Sequence, residues 1–430
     1  IEQEALRQSG DALCCQGVED VVLTPDTHQG FGVAVGTVAK TNGSIFPSYV
    51  GVDIACGMRT VLTPLEEKDI KQITERQRFI DQVKENVPVG HMSQAHAQFD
   101  EQMATDILHG KHRFDDVGFI ERSDLQSTRK PTHDMLDRCQ YQLGTMGGGN
   151  HFCEVQVVDE VDGDLSEKWG IHKGQVVLML HSGSRRLGQD VATFYKRKLV
   201  DWFNKERIPL VNDDAAWCLT KHAPKTALAD SQEAFLREYG EAYVEEMNMC
   251  SNFAVANRSL MQEQMIKALK KIFGVKPRDN KLLYDISHNI AAVENDKIII
   301  RKGATRAFPK GHEMLKGTQW FDTGHPIILP GSMDSNSYIM VGTDDAKRTH
   351  YSINHGAGRT MSRNQAKNTI DRAKAKAAMA NVPHNHDDLK EIIDETAGGY
   401  KDISQITDSV VGAGIACVVA KLRPVGVIKG

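Results

Sequence analysis

Six short strings, each setting a histidine, cysteine or aspartate beside glycine or small polar residues, are scattered along the chain with long stretches between them. They are Pro25-Asp-Thr-His-Gln-Gly30, Gly51-Val-Asp-Ile-Ala-Cys-Gly-Met58, Gly147-Gly-Gly-Asn-His-Phe152, His181-Ser-Gly-Ser-Arg-Arg186, Tyr284-Asp-Ile-Ser-His288 and Asn354-His-Gly-Ala-Gly-Arg359. Loops at strand ends, not core packing, hold side chains of this kind. A fold that uses them together must draw segments from almost the whole chain to one place. No internal repeat, low-complexity tract or Pro/Ser-rich linker divides the 430 residues. One continuous domain is therefore expected, although the length alone would allow two or three.

Composition narrows the setting. With 40% hydrophobic and 25% charged residues the chain is ordinary for a soluble globular protein. A formal net charge of −5 excludes a globally basic, histone-like binder but leaves room for a local cationic groove. None of the eight cysteines forms a CxxC pair, and the adjacent Cys14 and Cys15 suit neither a disulfide framework nor a zinc ribbon. A reducing, cytoplasmic setting is expected. The longest mostly apolar stretch, 410–422, contains Gly412, Gly414 and Lys421 and is too short to span a bilayer. No signal-peptide pattern opens the sequence, which begins at Ile1 rather than Met.

Periodicity and turn residues predict strands at 21–23, 33–39, 49–54, 176–181, 282–286, 297–301, 326–329 and 338–341. They predict helices at 65–87, 191–205 and 232–273, and a basic helix after Ser362 carrying Arg363, Lys367, Arg372, Lys374 and Lys376. The polar stretch from about 90 to 130 reads as a lid or an irregular excursion.

Taken one at a time, the strings stay ambiguous. Asp53 and Cys56, three apart in a glycine-bounded turn, can meet a metal in one cavity, but equally fit a small buried thiol beside a turn-capping carboxylate. His151, His181 and His288 are each compatible with an ordinary hydrogen-bonded histidine, and no HExxH pattern is present. His384 and His386 have metal-like spacing but lie in a polar loop and are expected to be solvated. The run Gly144-Thr-Met-Gly-Gly-Gly-Asn150 could approach a phosphate closely, yet it lacks the Lys-Ser/Thr ending of a P-loop.

In order, the strings PDTHQG, GVDIACGM, GTMGGGNHFCE, HSGSRRLG, a lone histidine before Asn289, RKGA, PGSM, HGAGRTMSR, YKD and a final Lys-Gly resemble the RtcB-type RNA ligases. They run from residue 25 to residue 430, so the resemblance covers essentially the whole chain. It implies an α+β fold: one large RtcB-like domain over residues 1–430, with mixed β-sheets surrounding a central metal and nucleotide cleft and helices outside. It also implies a GTP-dependent enzyme with two Mn²⁺ ions that joins RNA 2′,3′-cyclic phosphate or 3′-phosphate ends to 5′-hydroxyl ends, in RNA repair or tRNA splicing.

Carried over by motif, Asp53, Cys56 and His151 would bind one ion, and Cys56, His181 and His288 the other. His355 would take up GMP, oriented by Asp26. Asn150 and Arg359 would contact phosphates. Phe152 and Glu154 would meet guanine, and Gly356, Ala357, Gly358, Ser332, Ser337, Tyr400 and Lys429 would complete the pocket. Phosphate contacts to RNA are expected from Arg186 and Arg306, with Arg185, Arg301, Lys302 and the basic helix as further candidates. An activating helper protein would be an additional partner; a monomer with no membrane contact is the expected state.

Some positions depart from the family pattern. Asp334 follows the PGSM string where Gly is usual, Asn354 precedes His355, Cys153 replaces an aliphatic residue, and the 147–149 run is richer in glycine. Two other readings use part of the set: a binuclear metal-dependent RNA 3′-phosphatase or cyclic phosphodiesterase that has lost ligation, and a non-catalytic RNA-binding protein. The retained His355 string and Lys429 count against the first. The intact metal set counts against the second, because a buried Asp/Cys/His cluster without an ion is costly.

Overall fold

The computed structural model describes residues 1–90, 93–95, 99–114 and 126–430. Among them the strands are β1 (Val18–His28), β2 (Val35–Thr41), β3 (Ser44–Ile45), β4 (Gly57–Glu66) and β5 (Phe152–Val161). Then come β6 (Gln175–Ser182), β7 (Cys218–Leu219), β8 (Lys281–Ser287), β9 (Asn289–Glu294) and β10 (Lys297–Lys302). The last five are β11 (Ala304–Arg306), β12 (Ile327–Leu329), β13 (Ser337–Gly342), β14 (Ser352–Asn354) and β15 (Ala416–Lys429).

A seven-stranded sheet in the order β12-β13-β15-β5-β6-β4-β8 dominates the molecule, and each neighbouring pair is antiparallel. The interior strand β6 reads Gln-Val-Val-Leu-Met-Leu-His-Ser and is buried at every residue, because the sheet carries cores on both faces. Val177 and Met179 join Met58 and Val427 on one side, while Val176, Leu178 and Leu180 join Val61 and Val155 on the other. This is the two-residue alternation of a strand with no solvent face. A four-stranded antiparallel sheet, β1-β2-β10-β9, lies apart from it, and the short pair β11-β14 forms a sheet of its own.

The helix Asp230–Phe273 is 44 residues long and serves two cores. Leu236, Tyr243 and Phe253 pack with Leu199 and Phe203 of the helix Arg185–Glu206. Met261, Met265 and Leu269 cover Leu178 and Leu180 of the large sheet. Its first turn is acidic (Asp230, Glu233), its last is basic (Lys270, Lys271), and Gly274 closes it at φ +74, all favourable to the helix dipole and C-cap.

Several elements differ from the sequence reading. Residues 49–54 are not a strand: Pro47 starts the short helix Pro47–Val50, and Gly51 at φ +100 turns the chain into the Asp53–Cys56 loop. The expected helix at 65–87 divides, because β4 runs to Glu66. A 3-10 turn follows, capped reciprocally by Glu66 and Asp69, before the helix Ile73–Asn86. The basic helix is two, Arg363–Thr369 and Arg372–Ala378, the second recapped by Asp371. Part of the 90–130 stretch is the helix Glu101–Leu108, and residues 91–92, 96–98 and 115–125 lie outside the described residues. Among the described residues no helix is long and apolar enough to cross a membrane.

Candidate metal and nucleotide site

Strand register brings the scattered strings together. Gly57, the first residue of β4, stands opposite Ser182 of β6 on one side and Ser287 of β8 on the other. Cys56, His181 and His288 therefore sit at or beside the ends of three neighbouring strands. Phe152 of β5 faces His181, which places His151 next to them. The Cys56 sulfur lies 3.3 Å from His151 Nε2 and 3.1 Å from His181 Nε2. His181 Nε2 is 3.2 Å from His288 Nε2, and His151 Nε2 is 3.0 Å from Asp53 Oδ2. These atoms form two groups, Cys56/His181/His288 and Asp53/Cys56/His151, each with its ligand atoms within 4.8 Å of one another and sharing the sulfur.

The donor chemistry fits divalent ions. His151 Nδ1 is 2.8 Å from the Met146 carbonyl and His181 Nδ1 is 3.1 Å from that of Asn150. Protons on those nitrogens leave the Nε2 lone pairs turned inward, the arrangement in which histidines ligate metals. Burial pushes His181 and His288 well below the usual histidine range, so both are neutral at pH 7. Burial, and then the Asp53 charge, push the Cys56 thiol well above its ordinary value. Only a cation can compensate a thiolate there.

The segment after β14 carries His355 to the same cavity. Its Nδ1 lies 2.8 Å from Asp26 Oδ2, and its backbone N–H donates to the same oxygen at 3.3 Å. Asp26 is fully buried, and its other oxygen accepts from Thr24 at 2.5 Å. The carboxylate is thus fixed from both sides, and among the described residues Nε2 of His355 has no hydrogen-bond partner. The rings of His355 and His288 are 4.8 Å apart between centroids. Gly303 permits the approach, since a Cβ there would stand 3.1 Å from His355 Cε1.

A cavity of about 770 Å³ joins these groups to Asn150, Phe152, Ser332, the His355–Arg359 string, Tyr400 and Lys429. Glu154 and Ser337 stand behind the wall, bridged by Gln156, whose amide donates to Glu154 at 2.7 Å and to Ser337 at 3.0 Å. Burial raises Glu154 to about 7 against the pull of Lys429.

Sequence reasoning missed Glu395. Tyr400 donates to it at 2.8 Å and Lys429 at 2.7 Å, Arg359 lies at 3.2 Å, and Arg363 is paired with it too. Burial alone would raise this carboxyl, but Lys429 and Arg363 outweigh it and hold it at about 2. The available pointer was a pair of acids, Asp394 and Glu395, just ahead of Tyr400. Asp334, one of the departures from the family pattern, accepts from Ser332 at 2.8 Å and from the Ala397 amide at 2.7 Å, tying the Ser332 loop to the Glu395 segment.

The expected RNA contacts fare differently. Arg186 is exposed and 3.5 Å from Asp190. Arg306, against expectation, is buried and paired with Glu294, which also binds the fully buried Arg301 in two-pronged fashion. Arg301 and Arg306 are thus both held by one buried carboxylate, whereas Arg186 stays on the surface. Arg185 is turned onto Thr145 and Ser93. His386 is not solvated either: it bridges Glu391 and the Lys429 carbonyl at 2.8 and 3.0 Å.

An antiparallel α+β scaffold that gathers two metal-type groups, a carboxylate-oriented histidine and a cation-lined cavity has the donor set of a metalloprotein. The family model described as tRNA-splicing ligase RtcB matches residues 9–430, and the chain belongs to that family. It is similar to the tRNA-splicing ligases RtcB of Aeropyrum pernix and Thermococcus kodakarensis, each 32% identical over 100% of this chain and 92% of the relative. It is also 32% identical to the RNA-splicing ligase RtcB homolog 1 of Entamoeba dispar, over 99% of this chain and 82% of that protein.

Proposed function

We propose that the protein is a GTP-dependent RNA ligase that joins 3′-phosphate or 2′,3′-cyclic phosphate ends to 5′-hydroxyl ends, with tRNA halves as its substrate class. One observation carries the reading: a histidine held by a buried aspartate, with no hydrogen-bond partner at its second nitrogen among the described residues, stands beside two metal-type groups. Asp53, Cys56 and His151 would hold one Mn²⁺, and Cys56, His181 and His288 a second. When bound, such ions neutralise phosphate charge and favour departure of pyrophosphate.

The chain's own groups account for the remaining steps. Asp26 accepts the His355 Nδ1 proton in a hydrogen bond and stabilises the ring as it becomes cationic. His355 Nε2 attacks the α-phosphorus of GTP, the P–N bond forms, and the bond to pyrophosphate breaks. Glu154, ionised, accepts from guanine's ring N–H and amine, a donor pair adenine lacks on that edge. Arg359 and Lys429 offer positive charge to the phosphates. A 2′,3′-cyclic end is first opened by water, which adds to phosphorus and breaks the bond to O2′, leaving a 3′-phosphate. An oxygen of that phosphate then displaces His355 to give RNA(3′)pp(5′)G, and the 5′-hydroxyl oxygen, losing its proton to solvent, displaces GMP to form the phosphodiester.

Incubation with α-labelled GTP and Mn²⁺, then denaturation, should leave an acid-labile, alkali-stable label on the wild type and none on His355→Ala. Unlabelled wild type that still removes phosphate from 3′-phosphorylated RNA would replace this reading with a phosphatase. For Cys56→Ala, lost Mn²⁺ binding in calorimetry is the expected result.

A further inference from the structure

Phe31 is 68% exposed, the most exposed large hydrophobic residue in the molecule among the described residues, yet its backbone is firmly held. Its carbonyl accepts from the buried Lys302 ammonium and from the Val33 amide at 3.1 Å. Next to it, Gly30 exchanges two hydrogen bonds with Gln8, at 2.7 and 3.2 Å. Gly32, at φ +81, lies so close to Ser48 that a Cβ there would stand 2.9 Å from it. A hydrophobic collapse would have buried a free phenyl ring; this one is braced in water.

The ring lines the same cavity as the metal-type groups, together with half-exposed Val52, next to Asp53, and with Ala192, Thr193 and Lys196 of the helix Arg185–Glu206. The Lys196 ammonium lies 5.0 Å from the ring centroid and is paired with Asp214. An exposed aromatic ring with an ammonium over one face, opening onto a site for phosphates, is the combination that receives a nucleobase on its other face and the phosphate attached to it. Phe152, assigned above to guanine, has partners of its own, with Lys429 over its ring at 5.1 Å and the His181 ring at 5.6 Å, so the Phe31 arm is not claimed by the nucleotide reading.

We propose that Phe31 is a stacking platform for a nucleobase of the RNA beside the reacting end, with Val52 as its apolar edge and Lys196 meeting the adjoining phosphate. The proposal rests on the ligase reading for the identity of the strand, but its test does not depend on catalysis. A base stacked on one aromatic ring contributes enough for a change of roughly tenfold in affinity.

The probe is a short RNA carrying 2-aminopurine at its terminal nucleotide, in one version with a 3′-phosphate and in another with a 5′-hydroxyl. Wild type should quench the fluorescence of at least one version and bind it about tenfold more tightly than Phe31→Ala does, while Phe31→Trp keeps both. Because Phe31 is exposed, unchanged unfolding midpoints should accompany these variants. Equal quenching and affinity in wild type and Phe31→Ala, or no quenching of either version, would overturn the proposal. Wild type that quenches the base but takes no guanylyl label would sink the ligase reading and leave this one standing.

Discussion

Glu154 and Glu395 are both almost fully buried behind the wall of the same cavity, and their surroundings differ in kind. Glu395 is caged by Arg359, Arg363, Tyr400 and Lys429, and its carboxyl is held at about 2. Glu154 has one amide donor, from Gln156, and burial lifts it to about 7. The first carboxylate is satisfied by the protein itself and orders the groups around it. The second has a single amide donor among the described residues and is poorly compensated where it lies, as the ligand role proposed for it requires.

The contrast can be broken most violently at Glu395. Glu395→Ala should destabilise the protein by about 3–5 kcal/mol, because three buried or half-buried cations lose their common partner; a urea melt reads this, and GTP labelling should vanish with it. An unfolding midpoint equal to wild type would show that the cage is not structural. Glu154→Gln should do the reverse, leaving the fold intact while weakening guanosine binding on the order of tenfold, measured by calorimetry.

Acidity should separate the two further. Glu154 has a folded value above its unfolded value near 4.5, so its contribution to stability is present at low pH and lost as pH rises through about 7. Glu395 has a depressed value, so its contribution is present above about 4.5 and lost as pH falls toward about 2. Guanosine, which does not titrate between pH 6 and 8, should bind roughly tenfold more weakly at pH 6 than at pH 8, and this slope should be flat in Glu154→Gln. The smallest effect is expected at the bridge between the loops. Asp334→Gly removes two hydrogen bonds and should raise the Kd for GTP by about two- to fivefold, with no change at all showing that the tie is incidental.

The metal-type groups and His355 were legible because each sits in a short string whose glycines and strand ends fix the side chain's position, whatever the rest of the fold does. Glu395 was not, since one acid in a polar stretch looks like any solvated carboxylate until Lys429 and Arg363 are brought to it from elsewhere. Arg306 shows the opposite error. Membership of a motif does not reveal which way a strand residue points, and in β11 the side chain turns inward to Glu294. The 49–54 segment misled for a local reason: its β-branched residues outweighed Pro47 and Gly51, the two that govern the turn. The long helix and most strands followed their periodicity, because one or two packed faces leave that pattern unmistakable.

The last strand in the chain, β15, lies in the interior of the seven-stranded sheet between β13 and β5. Until residues 416–429 have left the ribosome, the sheet exists as a two-stranded ribbon and a four-stranded remnant, each with an open edge. Such edges invite wrong pairing with other chains, so the nascent polypeptide is at its most vulnerable just before synthesis reaches that point. Lys429 arrives with the closing strand, so the cavity gains its full charge at the moment its walls are joined.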